Sequence, residues 1–81
     1  MPILTPYELE EIVEIVSEMK LDGLVVISFN KDELEFTFEF VRDVTLEDKA
    51  YMIEFMENNC LEEYIDYIEL SGQRMIDLVI L

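Results

Sequence analysis

Apolar and polar residues alternate strictly over positions 33–41. Leu34, Phe36, Phe38 and Phe40 fall on even positions, and Glu33, Glu35, Thr37 and Glu39 on odd ones. Successive side chains of a strand point to opposite faces, so the pattern predicts a strand with one apolar and one acidic side. The core is expected to be built on its apolar side.

The rest of the pattern falls around that strand. Thr5-Pro6-Tyr7-Glu8 predicts a helix start: Thr5 can cap, Pro6 suits the first helical position, and Glu8 stands where a capping box needs it. Leu9, Ile12, Val13, Val16 and Met19 then recur at helical spacing, with Glu10, Glu11, Glu14 and Glu18 on the other side. Lys20 suits the negative end of the helix dipole, and Asp22-Gly23 should end the helix. Positions 24–29 predict a strand, and Asn30-Lys31-Asp32 a turn that makes a hairpin with the alternating strand, closed by Arg42-Asp43. A second helix should start at Thr45-Leu46-Glu47-Asp48. Its stripe would be Ala50, Ile53, Met56, Glu57 and Cys60, with Met52 and Phe55 beside it, and its end near Asn58-Asn59. Positions 63–70 and 74–81 read as two more strands about a tight turn at Ser71-Gly72, the last of them a candidate edge strand. Positions 1–4 read as either disordered or a short edge strand.

The two halves can be laid over one another. Thr5 falls on Thr45, Glu8 on Asp48, and 12–16 on 52–56; with a further shift of two, Leu34, Phe36 and Phe38 fall on Ile76, Leu78 and Ile80. Either an old internal duplication or two independent solutions to one packing problem would produce this. Both lead to the same expectation: an α+β fold, order α-β-β-α-β-β, with a four-stranded antiparallel sheet and both helices on one face. The other sheet face would be open and would show Glu35, Thr37, Glu39, Val26, Asp77 and Val79, with Asp66 or Tyr67 according to register.

Composition changes the picture in one respect. The chain has 81 residues, enough for a single domain over 1–81, and 52% of them are hydrophobic, which argues against disorder. Twenty acidic residues face five basic ones with no histidine, for a net charge of −15. Such a charge disfavours direct contact with nucleic acid or an anionic membrane, and suits a basic partner. One cysteine, no basic leader and an apolar run of only 24–27 argue for the cytoplasm and against export or a membrane span.

Candidate chemistry is sparse. Without histidine there is no nucleophile–histidine pair, and Gly23 and Gly72 stand alone, so there is no glycine-rich phosphate loop. Asn30-Lys31-Asp32-Glu33 has ligand-type residues but no EF-hand spacing. The expectation is a non-enzyme with no cofactor and no metal. Cys60, among acidic neighbours, reads as a buried small hydrophobe. Tyr64 and Tyr67 should face opposite ways from one strand, with Tyr7 and Tyr51 on helix surfaces.

The carboxylates remain. Glu33, Glu35 and Glu39 along one strand, Asp77 across the sheet, and Glu10, Glu11, Glu14 and Glu18 along a helix form rows of fixed negative charge. Such rows can imitate a phosphate backbone and engage a Lys/Arg groove. In size, charge and mixed make-up the chain resembles the small acidic proteins that phages and archaeal viruses use against CRISPR effectors, restriction enzymes or uracil-DNA glycosylase. That resemblance implies an inhibitor bound to a basic, nucleic-acid-binding enzyme, acting in the host cytoplasm if viral. The competing expectations are a self-associating module, a homodimer joined through the open face (Val26, Val79, Leu81) or the last strand, and a salt-adapted housekeeping domain. Nine isoleucines, and fourteen glutamates to six aspartates, speak against the last.

Overall fold

The computed structural model describes residues 4–70 and 72–80, the Tyr67 side chain excepted. The protein is α+β. Among the described residues the elements are α1 (Pro6–Ser17), β1 (Leu24–Asn30), β2 (Glu35–Phe40), α2 (Leu46–Asn58), β3 (Ile65–Leu70) and β4 (Met75–Ile80). The strands make one antiparallel sheet in the order β1-β2-β4-β3. β4 is therefore central, paired on both sides, and not the edge strand the sequence suggested. The expectations for positions 1–3, Ser71 and Leu81 lie outside the described residues.

Alternation decides where the core sits. Phe36, Phe38 and Phe40 of β2 and Ile76, Leu78 and Ile80 of β4 point the same way and are buried. Ile12 and Val16 of α1 and Met52 and Met56 of α2 belong to the same cluster, so both helices cover that one face. Burying a side chain of this size contributes roughly 1.5–3 kcal/mol, and thirteen such residues among those described make up the core.

Several ends fall elsewhere than the pattern placed them, each for a local reason. α1 stops at Ser17 and is capped by Glu18, so Lys20 lies beyond it; Met19 instead turns in and is buried. β2 starts at Glu35. The Asn30 side-chain oxygen accepts hydrogen bonds from the backbone N–H of Asp32 at 3.0 Å and of Glu33 at 3.2 Å, which curls 31–34 into a loop. Leu34 leaves that loop with φ 51°, so Glu33 is a loop residue and not a strand residue. β3 starts at Ile65, which leaves Tyr64 in the preceding turn, half-buried against the core.

α2 buries Asp48, Met52 and Met56, spaced by four, while Ile53 is 43% exposed and Ala50 and Cys60 are exposed. The stripe expected from the sequence was thus rotated. The cause at the C-terminal end is a Schellman turn: Leu61 N–H donates to Met56 O at 2.8 Å and Cys60 N–H to Glu57 O at 3.2 Å, with Cys60 at φ 56° between them. Leu61 is buried in the place expected for Cys60, whose thiol faces solvent.

The start of α2 is tied to the sheet. Thr45 and Asp48 form a reciprocal capping box, and Arg42 adds a two-pronged contact to the Asp48 carboxylate, Nη1 to Oδ2 at 2.7 Å and Nη2 to Oδ1 at 2.9 Å. Gly23 lies under the Arg42 chain at φ 81°; a Cβ there would stand 3.0 Å from Arg42 Cγ and Nε. Only glycine meets both the left-handed backbone and the close approach without strain.

The halves also match in their ladders. β2 and β4 correspond at an offset of 40 and β1 and β3 at 41. Thus Leu24↔Phe40 repeats as Ile65↔Ile80, Ile27↔Phe38 as Ile68↔Leu78, and Ser28↔Thr37 as Glu69↔Asp77. Each hairpin has its irregularity in the same place, between Leu24 and Val26 and between Ile65 and Tyr67. The strand offset is therefore 40, not the 42 read from apolar residues alone. The approximate two-fold passes between Thr37 and Asp77, which face each other across the central pair.

Candidate functional site

The sheet face away from the helices is the surface where the alternating carboxylates gather. Along β2 the same alternation that buries the phenylalanines turns Glu35, Thr37 and Glu39 outward. The ladders then set their neighbours. Asn30 and Val79 flank Glu35, Ser28 and Asp77 flank Thr37, and Val26 and Met75 flank Glu39. Beyond β4, Glu69 is opposite Asp77, and the register puts Tyr67, not Asp66, opposite Val79.

The centre is held by a hydrogen bond from Thr37 Oγ1 to Asp77 Oδ1 at 3.1 Å. Glu35 is half-buried between its neighbours. Its carboxyl is raised above the usual range, first by that loss of water and then by the negative charges of Asp77, Glu33 and Glu69. Val26 is 43% and Met75 39% exposed, so the face alternates carboxylates with apolar side chains and is not uniformly charged.

The eight carboxylates singled out in the sequence divide between two surfaces. Glu35, Glu39 and Asp77 come together on the open face. Glu33 lies in the adjoining loop, near enough for its charge to act on Glu35. Glu10, Glu11, Glu14 and Glu18 are exposed on and just past α1, which packs against the opposite side of the sheet. A single flat contact cannot cover both sets. On the α1 flank Glu8 raises the Tyr64 phenol, assisted by partial burial, Glu63 and Glu11.

Sequence reasoning missed Ser28, Asn30 and Met75 as parts of the open face. The signal for the first two was present: Val26, Ser28 and Asn30 alternate with Ile27 and Phe29. Met75 needed the β2–β4 register, which no local pattern supplies.

The ion pairs found among the described residues, Arg42–Asp48 and Arg74–Asp43 at 3.8 Å, lie around the β2–α2 connection and take none of Glu35, Glu39 or Asp77. Among the described residues no group of three or more acidic or cysteine side chains is placed to hold a metal ion, and no helix is long and apolar enough to cross a membrane. What the open face offers chemically is an arrangement of hydrogen-bond acceptors and negative charge, interleaved with methyl and thioether groups, suited to cationic groups carried on an apolar support. The chain matches no protein-family model, no curated protein and no solved structure.

Proposed function

We propose that this is a small acidic binding protein, without catalytic activity, that occupies the basic groove of a nucleic-acid-binding protein in the cytoplasm. It would act as an inhibitor of the nucleic-acid-mimic kind, of the type directed at CRISPR or restriction enzymes. The observation that carries the reading is a net charge of −15 whose strand carboxylates Glu35, Glu39 and Asp77 stand in fixed register without a lysine or arginine ion pair among the described residues. Fixed anions on a stiff sheet displace nucleic acid from a cationic cleft because both compete for the same counterion-releasing contacts.

The test is displacement. The protein is titrated into complexes of fluorescent duplex DNA with a CRISPR effector, a restriction endonuclease and uracil-DNA glycosylase, and anisotropy reports release. DNA should leave at least one of them, and the competing affinity should fall by a factor on the order of 10–10² between about 50 and about 200 mM salt, as about three neutralised charges require. Failure to displace DNA from any of them at low salt, or an affinity flat across that range, overturns groove occupation.

A further inference from the structure

The open face has three properties that together limit what can cover it. First, its central strands have no backbone to share. β2 is hydrogen-bonded to β1 and β4, and β4 to β2 and β3. An extended peptide laid over them could not pair its own N–H and C=O groups, and burying those unpaired is costly. The occupant must satisfy its backbone internally, which a helix does.

Second, the face repels its own kind. Two copies stacked face to face would bring two sets of Glu35, Glu39 and Asp77 together, where Glu35 already feels the repulsion of its neighbours. Nucleic acid is excluded on the same ground. The occupant is cationic.

Third, the spacing is regular. Two strand residues advance about 6.6 Å, so a path along β2 meets Glu39, then Asp77 on the neighbouring strand, then Glu35, at intervals of about 7 Å. A helix rising about 1.5 Å per residue covers that in four to five residues. Thr37 stands between the two glutamates, and apolar side chains border the path: Val26 and Met75 on either side of Glu39, and Val79 beside Glu35.

From these we infer that the open face docks a single amphipathic helix of a protein partner, with lysine or arginine at every fourth or fifth position and apolar residues between. This rests on the acidic-binder reading and deepens it, by naming the surface used and the element of the basic partner that seats there. The carboxylates on α1 lie outside the contact.

The probe is a synthetic helix of about 18 residues carrying arginine at i, i+4 and i+8 on a leucine- and alanine-bearing face. Its control has the same composition in scrambled order. Amide shifts of the isotope-labelled full chain locate the contact. On adding the ordered peptide, shifts should move in β2 and β4 and remain still in α1. E35Q/E39Q should weaken binding by about tenfold at about 50 mM salt, two charge pairs being lost, while E10Q/E14Q should change it less than about twofold. Thermal unfolding of both variants checks that they are folded.

Shifts centred on α1 and sensitivity to E10Q/E14Q would overturn the face assignment and leave the acidic-binder reading standing. Equal binding of the scrambled peptide would overturn the helical spacing, and so would DNA displacement by a protein that ignores both peptides. Concentration-dependent self-association that broadens β2 and β4 without any peptide would overturn the cationic occupant.

Discussion

Asp48 is the one buried acid among the described residues, and its surroundings account for that. Arg42, foremost, and the Thr45 cap hold its carboxyl well below the usual carboxylate range against the cost of burial. Replacing it by alanine removes the cap and the Arg42 contact together. Since Arg42 is about a third exposed, its share is discounted, and Asp48→Ala should lower unfolding free energy by about 2–3 kcal/mol in a urea titration. The sign with pH follows. A carboxyl with a depressed folded-state pKa stabilises above its unfolded value, near 4, and the contribution disappears as pH falls below that. Glu35 acts the other way: its raised carboxyl disfavours the folded state at neutral pH, and protonation on the way down relieves this. The melting temperature should therefore rise as pH falls from neutral toward the ordinary carboxylate range and drop below it. Asp48→Ala should flatten the drop, and Glu35→Gln the rise. The Thr45–Asp48 box was legible in the sequence from its spacing. Arg42 was not, because only the β2–α2 connection brings it there.

At the scale of elements, the regular parts were legible and their ends were not. Alternation correctly put Phe36, Phe38 and Phe40 inward and Glu35 and Glu39 outward, because a period of two leaves a half-buried strand no other choice. α1 likewise followed its stripe of Ile12 and Val16. α2 did not, because its apolar residues encircle the helix and no narrow stripe stands out; Asp48, Met52 and Met56 were chosen by the fixed start at Thr45. The Cys60 reading failed because a Schellman turn interrupts the helical period one residue early. That turn has a testable cost. Position 60 is left-handed, where a Cβ is unfavourable, so Cys60→Gly should stabilise the protein by about 0.5–1 kcal/mol in the same titration, part of the steric gain being offset by a freer unfolded chain. The wild-type thiol, exposed, should meanwhile react with a disulfide reagent in the folded state. A thiol that reacts only after unfolding would contradict the turn.

For the whole molecule the governing quantity is charge. At −15 the folded chain repels itself more than the expanded one, and the Arg42–Asp48 and Arg74–Asp43 pairs offset little of it. Sodium chloride should raise the melting temperature as the screening length shrinks from about 30 Å at about 0.01 M toward about 3 Å at about 1 M. The chain should already be folded at the low end. Unfolding in dilute buffer would instead mark a salt-adapted protein, and a fall with salt would mean that attractive pairs dominate. Strand order belongs to this scale too. Adjacent hairpins were readable, but the β2–β4 pairing joins residues some forty apart, and nothing local announces it. That single pairing makes the last strand central, closes the terminal-strand route to a dimer, and brings Asp77 to the β2 carboxylates.

The approximate two-fold has a consequence at its own centre. Where such an axis crosses a sheet, a residue confronts its counterpart. Two copies of either half joined the same way would set hydroxyl against hydroxyl or carboxylate against carboxylate. Here the counterparts differ, the Thr37 hydroxyl donating a hydrogen bond that the Asp77 carboxylate accepts. The seam is thus a keyed joint between unlike partners: it rewards closure of one chain upon itself and penalises a swap in which the second half meets another second half.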